Sequence, residues 1–118
     1  MQDKTLTDIV HAYCSAYETE NRALAEELLA DDFVFTGPHD HAIDKATYFE
    51  RCWPNNDAKH RQHVEALVVE GQRAFVTYSC ESGNGDSYRN TEYLTFDGDR
   101  IATVEVYFGP AYRNGVLV

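Results

Sequence analysis

The stretch NTEYLTFDGDRIATVEVYFG, residues 90–109, decides how this chain folds. Asp97-Gly98-Asp99 is a tight-turn signal between two runs rich in β-branched and aromatic residues. After the turn, Val104, Val106 and Phe108 share one parity, and Thr103, Glu105 and Tyr107 share the other. Successive side chains of a strand point to opposite faces, so the sequence predicts a hairpin with one apolar face and one mixed face. On the strand before the turn, the parity that carries Leu94 also carries Asn90 and Glu92. All three are expected on the inner face.

Working outward, HRQHVEALVV at 60–69 and RAFVTYSCE at 73–81 read as two more strands. Glu70-Gly71-Gln72 and Gly83-Asn84-Gly85 are the turns that join them. Four successive strands with short turns make an antiparallel meander. Nearer the N-terminus the period changes. Leu6, Ile9, Val10, Tyr13, Ala16 and Tyr17 recur every three or four residues, which predicts an amphipathic helix over about 4–18. Leu24, Leu28 and Leu29 mark a second helix over about 21–30, with Asn21 as its N-cap. DFVFTG, 32–37, is a short strand ended by Gly37-Pro38. A third helix over about 45–53 starts from Asp44 as N-cap, with Ile43 stapled onto Tyr48, and Pro54 stops it. Helices first and strands afterwards place the chain in the α+β class. The expected architecture is one domain over 1–118, with N-terminal helices packed on a curved, mostly antiparallel sheet that forms a conical barrel. Tyr13 and Tyr17 face the sheet, and the open end of the cone is a pocket.

Composition narrows the partners. A net charge of −10 and a pI near 4.7 repel phosphates and anionic lipid, so neither nucleic acid nor a membrane is expected. Cys14, Cys52 and Cys80 are odd in number, widely spaced and without a CxxC, which speaks for a reducing compartment and against a disulfide framework. The start MQDKTLTDIVHAY lacks a basic segment followed by an apolar run. A cytoplasmic location is the expectation. The absence of a Gly-rich phosphate loop argues that no organic cofactor is used.

The helix AYCSAY at 12–17, LLADDFVFTGP at 28–38, GQRAFV at 71–76 and the hairpin at 90–109 together resemble the SnoaL-like proteins of the nuclear transport factor 2-like superfamily. The resemblance runs from about residue 5 to 109 and implies a cone-shaped α+β barrel, usually a homodimer through the outer face of the sheet. FERCWPN, 49–55, looks like the signature of an uncharacterised bacterial subgroup. The superfamily contains a ketosteroid isomerase, a dehydratase, epoxide hydrolases, polyketide cyclases and non-catalytic binding modules, so the fold alone does not assign a reaction.

The resemblance places Tyr13 on the pocket tyrosine of the isomerase pattern and Glu92 on its oxyanion-binding acid. Together they would form a phenol–carboxyl pair at the base of the cone. A carboxyl in an apolar site has a raised pKa. Protonated, it would donate to an enolate oxygen; ionised, it would be a general base. The general base of that pattern falls on Gly37 here, and the inward acid of the epoxide hydrolases falls on Val106. Both departures remove the corresponding chemistry as such. A replacement acid/base is sought among His39 and His41, in the loop HDH beside the pocket mouth, and His60. His60 and His63 differ by three and face opposite sides of their strand, so at most one reaches the pocket. H-x-H with no third partner is not a recognised zinc pattern, and no metal is expected. Tyr17, Trp53, Tyr78, Asn90, Val104, Val106 and Phe108 are the expected ligand-lining residues. Trp53 serves equally as a core plug, and Cys52 as a small buried hydrophobe. Glu105 and Tyr107 belong to the outer face. The expected function is proton transfer on a small, oxygen-bearing apolar molecule, of isomerase, dehydratase or cyclase type. The alternative is a non-catalytic module for a small ligand or for a protein.

Overall fold

The computed structural model describes residues 5–37, 39–53, 60–82 and 85–118. Three helices, α1 (Leu6–Glu18), α2 (Arg22–Leu28) and α3 (Lys45–Arg51), cover one face of a seven-stranded sheet. The strands are β1 (Leu29–Gly37), β2 (Asp40–Asp44), β3 (His60–Glu70), β4 (Arg73–Ser82), β5 (Asp86–Asp97), β6 (Arg100–Arg113) and β7 (Val116–Leu117). Their order is β2-β1-β6-β5-β4-β3, with β7 paired to β6. All pairs are antiparallel except β1 with β6. This is the α+β sheet expected, with two strands that the sequence did not announce.

The alternation read in the hairpin holds. Ala74, Leu94 and Val104 are adjacent across β4, β5 and β6, all buried, and pack beneath Ile9 and Val10 of α1. On the other face the row Val68–Phe75–Tyr93–Glu105 is uncovered, with Val68 60% and Phe75 49% exposed. Phe75 stacks on Tyr93 at 4.8 Å, and the hydroxyls of Thr77 and Thr91, and of Thr95 and Thr103, satisfy each other.

α2 and α3 start where Asn21 and Asp44 were expected to cap them, and Thr5 caps α1. Thr5, Asn21 and Asp44 each accept from a backbone N–H in the first turn. α3 ends at Arg51, two residues short of expectation, and Cys52 closes it by donating its N–H to Tyr48. Pro54, Pro38 and the Gly83-Asn84 part of the second turn lie outside the described residues. Lys45 donates to the carbonyls of Glu26 and Leu29, tying α3 to the open C-terminal end of α2.

Two further details shape the pocket. Opposite Arg89, β6 carries Gly109 and Pro110, so Asn90 pairs with Phe108 while Tyr88 pairs with Ala111. This bulge resets the alternation, and a Cβ on Gly109 would meet the Arg89 carbonyl oxygen at 2.4 Å. α1 ends in a Schellman motif: Asn21 N–H bonds to Ala16 O at 2.8 Å and Glu20 N–H to Tyr17 O at 3.2 Å. Glu20 occupies the left-handed position with φ 55°, where a side chain is strained. Replacing it as Glu20→Gly should stabilise the fold by about 0.5–1 kcal/mol, the strain relief exceeding the added chain entropy of the unfolded state. Urea unfolding at neutral pH checks this, with an unchanged m-value.

Candidate functional site

Between the helices and the inner sheet face lies a cavity of about 430 Å³. Its wall contains five tyrosines: Tyr13 and Tyr17 from α1, Tyr48 from α3, Tyr78 from β4 and Tyr88 from β5. Phe35, Val106, Phe108, Gly109, Ala111, Cys14 and Cys52 supply much of the remainder. The other polar members are Gln62, Asn90 and Glu92. The helix side is braced by ring contacts. Tyr48 meets Phe33, Phe35 and Phe49 at 5.2, 4.9 and 5.2 Å, and Trp53 meets Phe49 at 5.4 Å and Tyr17 at 5.8 Å.

Among the described residues Glu92 is the only carboxylate in this wall. It stands on β5 with Asn90 two residues before it, on the inner parity. Its Oε2 accepts from the Tyr78 hydroxyl at 2.6 Å. Burial pushes the carboxyl up from 4.5 to about 6, and the Tyr78 hydrogen bond pulls in the opposite direction. Tyr13 does not pair with Glu92 as expected. Its hydroxyl lies 2.6 Å from that of Tyr48, a contact across 35 positions of sequence. Burial raises both phenols, and the charge of Glu92 raises them further, so they stay neutral donors. Two hydroxyls sharing one hydrogen bond leave one O–H free to donate elsewhere.

Tyr78 also fixes its other neighbour. Its single proton goes to Glu92, so toward Asn90 it can only accept, and Asn90 Nδ2 lies 3.4 Å away. The amide is thereby oriented with Oδ1 away from Tyr78. Asn90 is 5% exposed, and Oδ1 has no hydrogen-bond partner among the described residues. Gln62 Oε1 is likewise buried without one.

The expected lining residues Tyr17, Tyr78, Asn90, Val106 and Phe108 are present in the wall. Val104 and Trp53 are not. Val104 is completely buried one step deeper, beneath the helices, and Trp53 is a core plug that supports Tyr17 from behind. His39 and His41 do not enter the cavity either. HDH is not a loop over the mouth: His39 is a turn residue, Asp40 and His41 open an edge strand, β2, and both imidazoles are exposed. His39 meets the Phe108 ring edge-on, at 6.5 Å. Asp40 between them turns inward to Arg51 at 2.7 Å and to the Cys52 thiol, which burial raises to about 11. The side chain of His60 lies outside the described part of the structure. Sequence reasoning missed Tyr48 and Tyr88 as wall residues. Tyr88 shares the parity of Asn90 and Glu92, which is a usable signal; for Tyr48 the staple to Ile43 showed burial but not the phenol partner. Among the described residues no three His, Cys, Asp or Glu side chains gather to hold a metal ion. None of the helices is long and apolar enough to cross a membrane.

A family model for the SnoaL-like domain matches residues 10–104. The chain belongs to the SnoaL-like domain family. No curated protein sequence matches it. Among solved structures it is similar to an NTF2-like protein of unknown function from Cytophaga hutchinsonii, at 25% identity and a TM-score of 0.77, covering 92% of this chain and 93% of that one. A protein from Kribbella flavida named as a candidate ketosteroid isomerase shares 20% identity with a TM-score of 0.75, covering 92% and 80%. An LEH-like epoxide hydrolase from M. tuberculosis shares 18% identity with a TM-score of 0.71, covering 88% and 82%. At such identities the last two show the shared fold and nothing finer.

A buried carboxyl with a raised pKa taxes this SnoaL-like fold. The cost is absent below pH 4.5, where the group is protonated folded or unfolded, and grows until pH passes about 6. Above that it amounts to about 2 kcal/mol. Glu92→Gln keeps an acceptor for Tyr78 and removes the charge. It should stabilise the protein by about that amount at pH 8 and leave it unchanged at pH 4, as thermal melts at the two pH values would read.

Proposed function

We propose that this SnoaL-like chain catalyses cofactor-independent proton transfer on a small, largely apolar molecule that carries a carbonyl. The observation that carries this reading is Glu92, a single carboxylate with a pKa near 6 in a tyrosine-lined cavity, held by Tyr78. Above pH 6 it is ionised, which is the state a general base requires. In the proposed step Glu92 takes a proton from the carbon beside the substrate carbonyl. The electron pair moves onto the carbonyl oxygen, which accepts a hydrogen bond from the free O–H of the Tyr13–Tyr48 pair. Return of the proton to another carbon gives an isomer. Loss of a β-hydroxyl, which leaves as water with that proton, gives a dehydrated product. The role expected of a histidine therefore passes to Glu92, and the donor role to the two phenols.

The outer sheet face belongs to the same proposal as the contact with a second copy of the chain. Its exposed Val68, Phe75 and Tyr107 and its self-satisfied threonine pairs need neither solvent nor charge. Light scattering should give twice the monomer mass, and Phe75→Glu should halve it.

Deuterium exchange into a panel of small cyclic ketones, followed by NMR, tests the chemistry. The exchange rate should climb tenfold per pH unit below about 6 and level above it. Glu92→Gln should abolish exchange, and Tyr13→Phe should slow it by about 10²-fold. Ketones that bind without any exchange would instead make the cavity a non-catalytic binding site.

A further inference from the structure

The cavity wall holds a negative charge with nothing to balance it. Among the described residues no Lys, Arg or His lines the space, and Glu92 takes part in no ion pair. The titratable groups that face its carboxyl are Tyr13, Cys14 and Tyr17 on α1, Tyr48 on α3, Tyr78 on β4 and Tyr88 on β5. Each is a phenol or a thiol that burial holds above its ordinary value, so all six are neutral at pH 7. Such groups can donate hydrogen bonds, but they cannot cancel a charge. Glu92 is only partly buried, on a strand face that borders the cavity, so the carboxylate opens onto that space. An ionised group in an apolar wall is costly until a counter-charge joins it. The rest of the wall suits one kind of counter-charge. Five tyrosines, Phe35 and Phe108 surround the space with aromatic rings, and the π-face of a ring attracts a cation most strongly where water is excluded. A metal ion would need several oxygen ligands, and among the described residues no three His, Cys, Asp or Glu gather. An organic ammonium needs none, because its carbon substituents pack on the same rings. The net charge of −10 adds a field that draws cations and repels anions.

We infer that the ligand of this cavity carries an organic cation, a protonated amine that lies against the tyrosine and phenylalanine rings within reach of the Glu92 carboxylate. This rests on the proton-transfer reading and deepens it by naming the substrate class as an amino ketone. The carbonyl end meets the Tyr13–Tyr48 donor and the ammonium end balances the carboxylate. Tyr78 occupies Oε2, so Oε1 stays open for the proton. A positive charge near the reacting carbon also favours the electron pair that develops there as the C–H bond breaks. Anionic ligands meet like charge and are rejected.

The test is a binding comparison that needs no turnover. Three ketones of matched shape are titrated into the protein by calorimetry or NMR, in about 0.15 M salt to screen the surface charge. They are 4-(dimethylamino)cyclohexanone, which is protonated at pH 7, its neutral carbon counterpart 4-isopropylcyclohexanone, and the anion 4-oxocyclohexanecarboxylate. At pH 7 the amine should bind about tenfold more tightly than the neutral ketone, the effect of one desolvated cation–ring contact, and the anion should bind most weakly. At pH 5 the amine keeps its charge, but Glu92, whose carboxyl sits at about 6, is mostly protonated, and the gap should shrink to about twofold. Glu92→Gln keeps the shape of the wall and should show the small gap at both pH values. The native protein at two pH values decides the question without the variant. Binding of the neutral ketone as tightly as the amine at pH 7 overturns the inference, as does failure of all three compounds to bind at millimolar concentration. A gap that persists undiminished at pH 5 or in Glu92→Gln also overturns it, because the preference would then come from the overall charge of the protein. These outcomes are separate from the exchange experiment. Deuterium exchange into neutral ketones with no preference for the amine removes this inference and leaves the proton transfer, whereas selective amine binding without exchange removes the catalytic reading and leaves the recognition standing.

Discussion

The two-residue period of β5 and β6 governs both what holds this protein together and what it can bind. Leu94 and Val104 face each other across the hairpin and disappear beneath α1. One step along, the same face presents Glu92 against Val106, and one step further Asn90 against Phe108. Core and cavity are consecutive stretches of a single surface. A slip of one residue in the pairing would expose the core and drive Glu92 out to solvent together. The carboxylate is therefore located by hydrophobic burial, the strongest available constraint, and not by the weak polar contacts around it.

The polar contacts add direction. Tyr78 donates to one neighbour and accepts from the other, so a single hydroxyl sets the orientation of both Glu92 and Asn90. Across the cavity, Tyr13 and Tyr48 settle each other and leave one proton over. The site is asymmetric as a result, with the spare phenol proton on the helix side and the Glu92 carboxylate on the sheet side. The aromatic chain Tyr17–Trp53–Phe49–Tyr48 keeps the helix side rigid by packing, with Arg22 stacked over Phe49 from outside.

Much of this was legible in the residues. Alternation named the inward face of the hairpin, including Asn90, Glu92 and Val106, and the caps Asn21 and Asp44 named the starts of α2 and α3. Alternation gives the face, however, and not the depth. Whether Val104 or Val106 meets the cavity depends on how far α1 reaches across the sheet, which no local pattern encodes. The Tyr13–Tyr48 contact joins residues 35 apart, and nothing in either neighbourhood selects one phenol over the Glu92 carboxyl as partner. β2 escaped notice because DHAID is short, polar and sharply bent, with Ala42 at φ 52° bonding through its N–H to the Thr36 hydroxyl. A strand so defined exists by tertiary pairing with β1, and His41 ends at an edge instead of over a pocket.

The bulge at Gly109 and Pro110 has a consequence for how such a cavity changes over time. Because the extra residue re-phases β6, Ala111 and Tyr88 form a rim whose register is independent of the Leu94–Val104 core. Tyr88 and Ala111 line the cavity without sharing the packing that positions Glu92. The molecule is in this sense two modules on one pair of strands, a packed floor and a separately phased rim.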